Sequence, residues 1–317
     1  MKPFALNSRR SQYAALLLAL LLPAAAATAQ NLVYVVDFNN QFGTVSLSTG
    51  AFNPIGPPTP EPLANLVWAR DGSLLSLSAS GNLDKIDPLN GETKAIGQTG
   101  LGYNAFDLAG VRGKLYATDF SNNIYSVDPQ TGVASFMRAT GIPPDPEVPF
   151  SQNSDGTINL CDETLYGWGG KLYATFDSFK VDPNTLVTTP WVKPALYEID
   201  PATGEAKLIG PTLLGLGATV VANDGKFYAI ESDIVGWTQY GPVAQNKLYT
   251  LDLRTGATEY VRDLGSSEGA IFGAAPARML RGHAGWQPPD PCINVGTSGC
   301  KAAYQPPDPC KTACKPN

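Results

Sequence analysis

An all-β ring of four-stranded antiparallel sheets is the fold that this sequence predicts. Three observations predict it. A turn built on Asp, Pro, Thr and Gly returns five times along 317 residues, short apolar-alternating runs flank the copies, and nothing reads as a long amphipathic helix.

The turn stands as LSTG at 47–50, IDPLNG at 86–91, VDPQTG at 127–132, IDPATG at 199–204 and LDLRTG at 251–256. Its residue types follow from backbone chemistry. Asp accepts a hydrogen bond from the backbone two residues on, Pro presets φ at the second turn position, and Gly takes the left-handed conformation that a bulged hairpin requires. These are strand-to-strand turns. A short strand precedes each (123–127, 195–199, 247–251) and another follows (92–96, 205–209, 257–261).

One step upstream lies a further strand behind its own Gly turn: GKLYATD at 113–119, GKLYATFD at 170–177, GKFYAIE at 225–231, and the looser GSLLSLS at 72–78. Ahead of these come small and apolar segments at 65–69, 104–109, 164–168 and 218–222. The unit is therefore four antiparallel strands over roughly forty residues, the blade of a β-propeller. The 32 Gly and 27 Pro residues supply its turns.

The blade count follows from the ends. NLVYVVDF, 31–38, reads as a second strand, so the first blade lacks its inner one, and GAIFGAAP, 269–276, reads as the missing piece. Joining both ends in one blade removes the exposed sheet edges. The expectation is a five-bladed ring, or six blades if residues 141–195 hold a degenerate one. Repeated aromatics at fixed blade positions, Tyr34, Tyr116, Tyr173, Tyr228, Tyr125, Tyr197 and Tyr249, read as core packing.

KLYATDFSNNIYSVDPQTG, 114–132, and its partners resemble the secreted bacterial propellers loosely grouped with NHL-type, quinoprotein-like and lactonase-like repeats, over about residues 31–280. The resemblance implies the fold. Those groups include enzymes, sugar binders and adhesive scaffolds, so it carries no single reaction.

Three segments are expected along the chain: a signal peptide at 1–29, the propeller at 30–280 and a Pro/Cys-rich tail at 281–317. Lys2, Arg9 and Arg10, an apolar run from Ala14 to Leu22 and the small residues Ala27-Thr28-Ala29 form a secretory signal, with cleavage after Ala29. The run is shorter than the roughly 20 residues a membrane span needs. Secretion or a periplasmic location follows, with no transmembrane segment in the mature chain. Removing the three basic residues takes the net charge from −6 to about −9. Such a surface repels phosphate backbones, which argues against nucleic acid as a partner.

Four cysteines, Cys292, Cys300, Cys310 and Cys314, crowd the tail, and in an oxidising compartment that spacing reads as disulfides. A four-thiolate zinc site is the alternative, with spacings wide for ordinary zinc knuckles. Cys161 reads as a small buried residue. In the tail WQPPDPC at 286–292 returns as YQPPDPC at 304–310, stiff chain that cannot build a core.

Three long insertions, 141–161, 177–193 and 232–246, fall in links that open on one face of the ring, and they are expected as loops gathered over that side. Their aromatics Phe150, Trp191, Trp237 and Tyr240, with Asn65 and Asn104 at inner-strand starts, are the candidate ligand-binding residues. The same aromatics serve equally to pin the insertions onto the blades. Asp37, Asp119, Asp162, Asp177, Glu231 and Glu268 reach that face as well, and oxygen ligands from several blades suit a hard cation such as calcium. Lactonase-like propellers hold a metal with side chains at such positions, so the resemblance implies this set by residue type and rough place. Turn-capping Asp and Asn produce the same pattern without a ligand.

Catalytic motifs are sparse: there is no G-x-S-x-G, no histidine within the blades and no phosphate-cradling Gly loop. The sequence leans against an enzyme and towards an exported, non-catalytic propeller that binds a glycan or protein through the inserted face. Two other readings stand beside it: a calcium-type lactonase-like hydrolase using an acidic central well, and a surface structural scaffold.

Overall fold

A computed structural model describes residues 31–143, 151–238, 241–265 and 269–277. Twenty strands form five four-stranded antiparallel sheets, each one blade. Blade 1 contains β1 (Leu32–Asp37), β2 (Phe42–Ser46) and β3 (Phe52–Pro54), and its inner strand is β20 (Ile271–Pro276) from the far end of the chain. Blade 2 is β4 (Leu63–Trp68), β5 (Leu74–Ser78), β6 (Asn82–Ile86) and β7 (Thr93–Gln98). A short 3₁₀ turn, Gly102–Asn104, leads into blade 3: β8 (Ala105–Val111), β9 (Lys114–Asp119), β10 (Asn123–Val127) and β11 (Ala134–Ala139). Blade 4 is β12 (Ile158–Trp168), β13 (Lys171–Val181), β14 (Thr188–Ile199) and β15 (Ala206–Pro211); blade 5 is β16 (Leu216–Val221), β17 (Phe227–Thr238), β18 (Gly241–Leu251) and β19 (Thr258–Leu264).

The expected closure is present. β1 pairs with β20 from Val33↔Pro276 to Val36↔Gly273, and a bulge brings Asp37 opposite Ile271. Side chains seal both seams of that blade. Trp68 Nε1–H of blade 2 donates to the Pro276 carbonyl at 2.9 Å, while the fully buried Asn246 of blade 5 donates to Gly269 O at 2.9 Å and accepts from Ile271 N at 3.1 Å.

Packing explains why this sequence makes a ring and not a sandwich. Each of the five gaps between neighbouring blades holds its own apolar cluster, for example Val35, Val220 and Leu248 between blades 1 and 5, and Leu77, Leu108 and Ala117 between blades 2 and 3. Every sheet is thus buried on both faces near the axis, which is why its inner strands read as continuous apolar runs. At the axis the strands converge so tightly that side chains are excluded: a Cβ on Gly167 would strike Gly110 O, and one on Gly273 would strike Asn65 Cα. Tyr34, Tyr116 and Tyr228 are buried in the inter-blade clusters, as expected.

The repeated turns close as their chemistry requires. Oδ1 of Asp87, Asp128, Asp200 and Asp252 accepts the N–H two residues on at 2.7–2.9 Å, and Gly91, Gly132, Gly204 and Gly256 have φ of 75–80°. The structure adds a sixth copy. Asp182-Pro183-Asn184-Thr185-Leu186 makes the same bonds, with Asp182 Oδ1 accepting from Asn184 N at 2.8 Å and Leu186 N donating to Asp182 O at 2.8 Å. Leu186 holds the left-handed position, φ 60°, where the others have Gly.

That sixth turn marks a correction. Insertions 177–193 and 232–246 are not loops: they continue β13 into β14 and β17 into β18 as long hairpins. The first carries turn chemistry at its tip and in both the flanking strands pair, so ladder bonds form instead of irregular backbone. The described part of 141–195 likewise enlarges blade 4, by lengthening β12 to eleven residues, and contributes no sixth blade. Among the described residues no helix is long and apolar enough to cross a membrane. The proposed signal segment and tail lie outside the described residues, with Cys292, Cys300, Cys310 and Cys314.

Candidate functional site

In an antiparallel blade the turn between second and third strands lies opposite the two other turns. The long hairpins of blades 4 and 5 therefore rise on one face, the face reached also by the links from one blade's outer strand to the next blade's inner strand. Between the hairpins lies a small apolar cluster of its own, where Leu160, Phe179 and Val181 of blade 4 pack with Ile234 and Trp237 of blade 5. Burial of this size holds the two hairpins together as one raised wall.

Trp237 is part of that joint. Its indole is partly buried, and Nε1 has no hydrogen-bond partner among the described residues. Trp191 faces solvent instead, 41% exposed, with Lys180 Nζ 5.8 Å from its ring centroid. Val187 and Val235 are exposed on the same hairpins. The outer edge of β14 pairs with β15 only from Ala195 onwards, and the unpaired stretch contains Pro190, Lys193 and Pro194. Proline removes a ladder donor and lysine resists desolvation, so this edge is guarded against pairing with another strand. Phe150 and Tyr240 lie outside the described residues, and Asn104 is exposed in its 3₁₀ turn.

The acidic candidates divide by position. Asp37 and Asp119 end second strands, and Glu231 lies within the lengthened second strand of blade 5. Asp119 is fully engaged: Oδ1 accepts from Ser121 N and Asn123 N, and Oδ2 from Asn123 Nδ2 and the Tyr125 hydroxyl. Asp37 Oδ1 caps Asn39 N and Gln41 N in the same manner, but its buried Oδ2 has no partner. Burial pushes the Asp37 carboxyl up to about 6 against those two N–H bonds. Glu231 accepts from the Tyr249 hydroxyl at 2.8 Å and lies near Lys247, which is ion-paired to Asp233. Burial raises the Glu231 carboxyl too.

Asp162 and Asp177 face each other across β12 and β13, and Asp177 Oδ2 accepts from Gly215 N at 2.9 Å. Burial lifts Asp162 to about 7. Glu268 lies outside the described residues. Among the described residues, no group of three His, Cys, Asp or Glu side chains is gathered to hold a metal ion.

Two carboxyls that the sequence reading passed over sit nearer the axis. Asp107 on β8 accepts from Leu108 N and from Leu165 N of the next blade, and Asn65 completes the bridge by donating to Leu108 O at 3.0 Å and Leu165 O at 2.9 Å. Asn65 is thus a strut joining blades 2, 3 and 4. Burial drives Asp107 up to about 8. Glu163, beside Asp107 and Thr118, is pushed well above the usual carboxyl range by burial and then by Asp107, and its Oε2 is buried without a partner. An acid inside an otherwise apolar inner strand (AFDLAG, DETLYG) was the signal available for both, since an interior charge needs a reason. Cys161 is buried, as expected.

No protein-family model matches the chain, and no curated protein matches it. Among solved structures it is similar to TolB from Acinetobacter baumannii, at 12% identity and a TM-score of 0.41, covering 78% of this chain and 66% of that one. It is also similar to a structural genomics protein of unknown function from Bacteroides thetaiotaomicron, at 17% identity and a TM-score of 0.42, covering 76% of this chain and 58% of that one. The chain spans less than two thirds of the length of either, and at such identities and scores neither structure says what it binds.

Proposed function

We propose that this chain is an exported, non-catalytic propeller that binds a glycan or protein ligand on the face raised by the hairpins of blades 4 and 5. One observation carries the reading. The cluster of Leu160, Phe179, Val181, Ile234 and Trp237 stands apart from the five inter-blade clusters of the ring, and it packs two hairpins side by side. Rigid elements that present Trp191, Val187 and Val235 to solvent suit recognition, because little ordering entropy remains to be lost on binding. The signal-like character of residues 1–29 supports a location of such a surface outside the cytoplasm. The blade motif's likeness to NHL-type, quinoprotein-like and lactonase-like repeats adds the scaffold and no chemistry.

A glycan array and cross-linking on intact cells, run with wild type and the Trp191→Ala/Val235→Ser variant, test it. Binding that falls at least tenfold in the variant, with an unchanged melting temperature, is the expected result. Equal binding by both, turnover in a lactone and ester panel, or self-association in place of ligand capture would replace this reading with another.

A further inference from the structure

The opposite face carries the turns between first and second and between third and fourth strands. There, where blades 2 and 3 meet, opens a cleft of about 470 Å³, within the size range of small-molecule sites. Leu75, Ile96 and Leu115 give it an apolar floor and belong to the cluster that packs these two blades together. Arg70 and Lys114 stand at its rim, both exposed, and neither forms an ion pair with a described residue. Asp71, an acid on the same rim, is turned back on its own turn: Oδ1 accepts from Ser73 N at 2.9 Å and Oδ2 from the Ser73 hydroxyl at 3.1 Å.

The neighbouring repeat shows what these cations lack. Lys114 opens β9 as Lys171 opens β13, each at the head of a KLYAT stretch. Lys171 has its counter-ion, Glu198, at 2.7 Å, on the third strand opposite Tyr173. In blade 3 the residue opposite Tyr116 is Ser126, short and uncharged. Arg70 differs from its counterpart as well. Between blades 3 and 4 the Arg112 guanidinium lies down on Gly170, where a Cβ would stand 2.8 Å from Nε. Between blades 2 and 3 it is the aliphatic stem of Arg70 that lies on Gly113, with Cδ 3.2 Å from such a Cβ, so the head group stays clear of that glycine.

Two cations beside an apolar floor, without the carboxylate that the next blade supplies, match an anion that carries an apolar body. Arg and Lys hold a carboxylate through charge-assisted hydrogen bonds, and the floor takes a hydrocarbon chain out of water. We propose that this cleft binds a medium-chain organic carboxylate, its head group held by Arg70 and Lys114 and its chain laid on Leu75, Ile96 and Leu115. The site lies on the face away from the raised hairpins, so binding on either face can be lost without the other.

Isothermal titration calorimetry of the full chain with sodium octanoate and with the uncharged octanamide tests the assignment. Octanoate should bind about tenfold more tightly, or better, since only the ion engages both cations. Arg70→Ala/Lys114→Ala should remove that preference with an unchanged melting temperature. Ser126→Glu should remove most of it too, by giving Lys114 the partner that Lys171 has. Equal affinity for the two compounds in wild type, no heat from octanoate at millimolar concentration, or a preference that survives in both variants overturns the proposal.

Discussion

The Tyr125 hydroxyl donates to Asp119 Oδ2 at 2.8 Å, and Tyr249 makes the same bond to Glu231 two blades on. In blade 1 the residue six after Asp37 is Gly43, because a Cβ there would run into the Phe52 ring, and Asp37 Oδ2 is left without a donor. One repeat position is therefore a satisfied carboxylate in two blades and an orphan in a third. Burial, with help from Asp119, holds the Tyr125 phenol up at about 12, so it stays a donor at any working pH. Tyr125→Phe should cost about 1–2 kcal/mol in urea unfolding, since a bond to a charged acceptor is lost while Asn123 keeps its own.

Stability should fall as pH rises from 5 to 8.5. Asp37, Asp162 and Asp107 are lifted from 3.8 to about 6, 7 and 8, so the folded chain binds more protons than the unfolded chain across that range, and the slope of stability against pH is negative. Differential scanning fluorimetry should find the highest melting temperature near pH 5. Asp37→Asn keeps the Oδ1 caps and removes the charge, so it should be more stable than wild type at pH 8 by ~1–3 kcal/mol, by about half as much at pH 5, and show little difference below pH 3.5. A melting temperature that climbs towards pH 8 would refute the assignment.

Leu186→Gly should stabilise the protein. A non-glycine residue at φ 60° carries about 1–2 kcal/mol of steric cost, and glycine's larger unfolded entropy returns part of it, leaving a gain of about 0.5–1 kcal/mol. Chemical denaturation reads it directly. The same change at Leu208, an exposed residue on β15, should not stabilise.

Trp237→Ala should loosen the raised wall while the ring stays closed. Removing a large ring from the cluster with Phe179 and Val181 costs about 3 kcal/mol locally. Hydrogen exchange should accelerate in 158–160, 179–181 and 234–238, with blades 1 to 3 unchanged. Acceleration spread evenly over all five blades would show that the wall and the ring unfold together.

The architecture was legible because its signals are local. Asp, Pro and Gly act within four residues, strand alternation within five, and each copy repeats both, so the blade, the five-fold count and the pairing of 31–38 with 269–276 followed from the chain itself. The turn at 182–187 escaped because Leu186 breaks the Gly signature, and without that turn the hairpin of blade 4 reads as a loop. What only the tertiary structure decided is where distant side chains meet. Asn65 finds its carbonyls 43 and 100 residues away, and Phe179 finds Trp237 across a blade boundary. Burial likewise separates Asp107 from the many aspartates that merely cap turns, because desolvation depends on how closely the five inner strands converge, a property of the closed ring that no single strand contains.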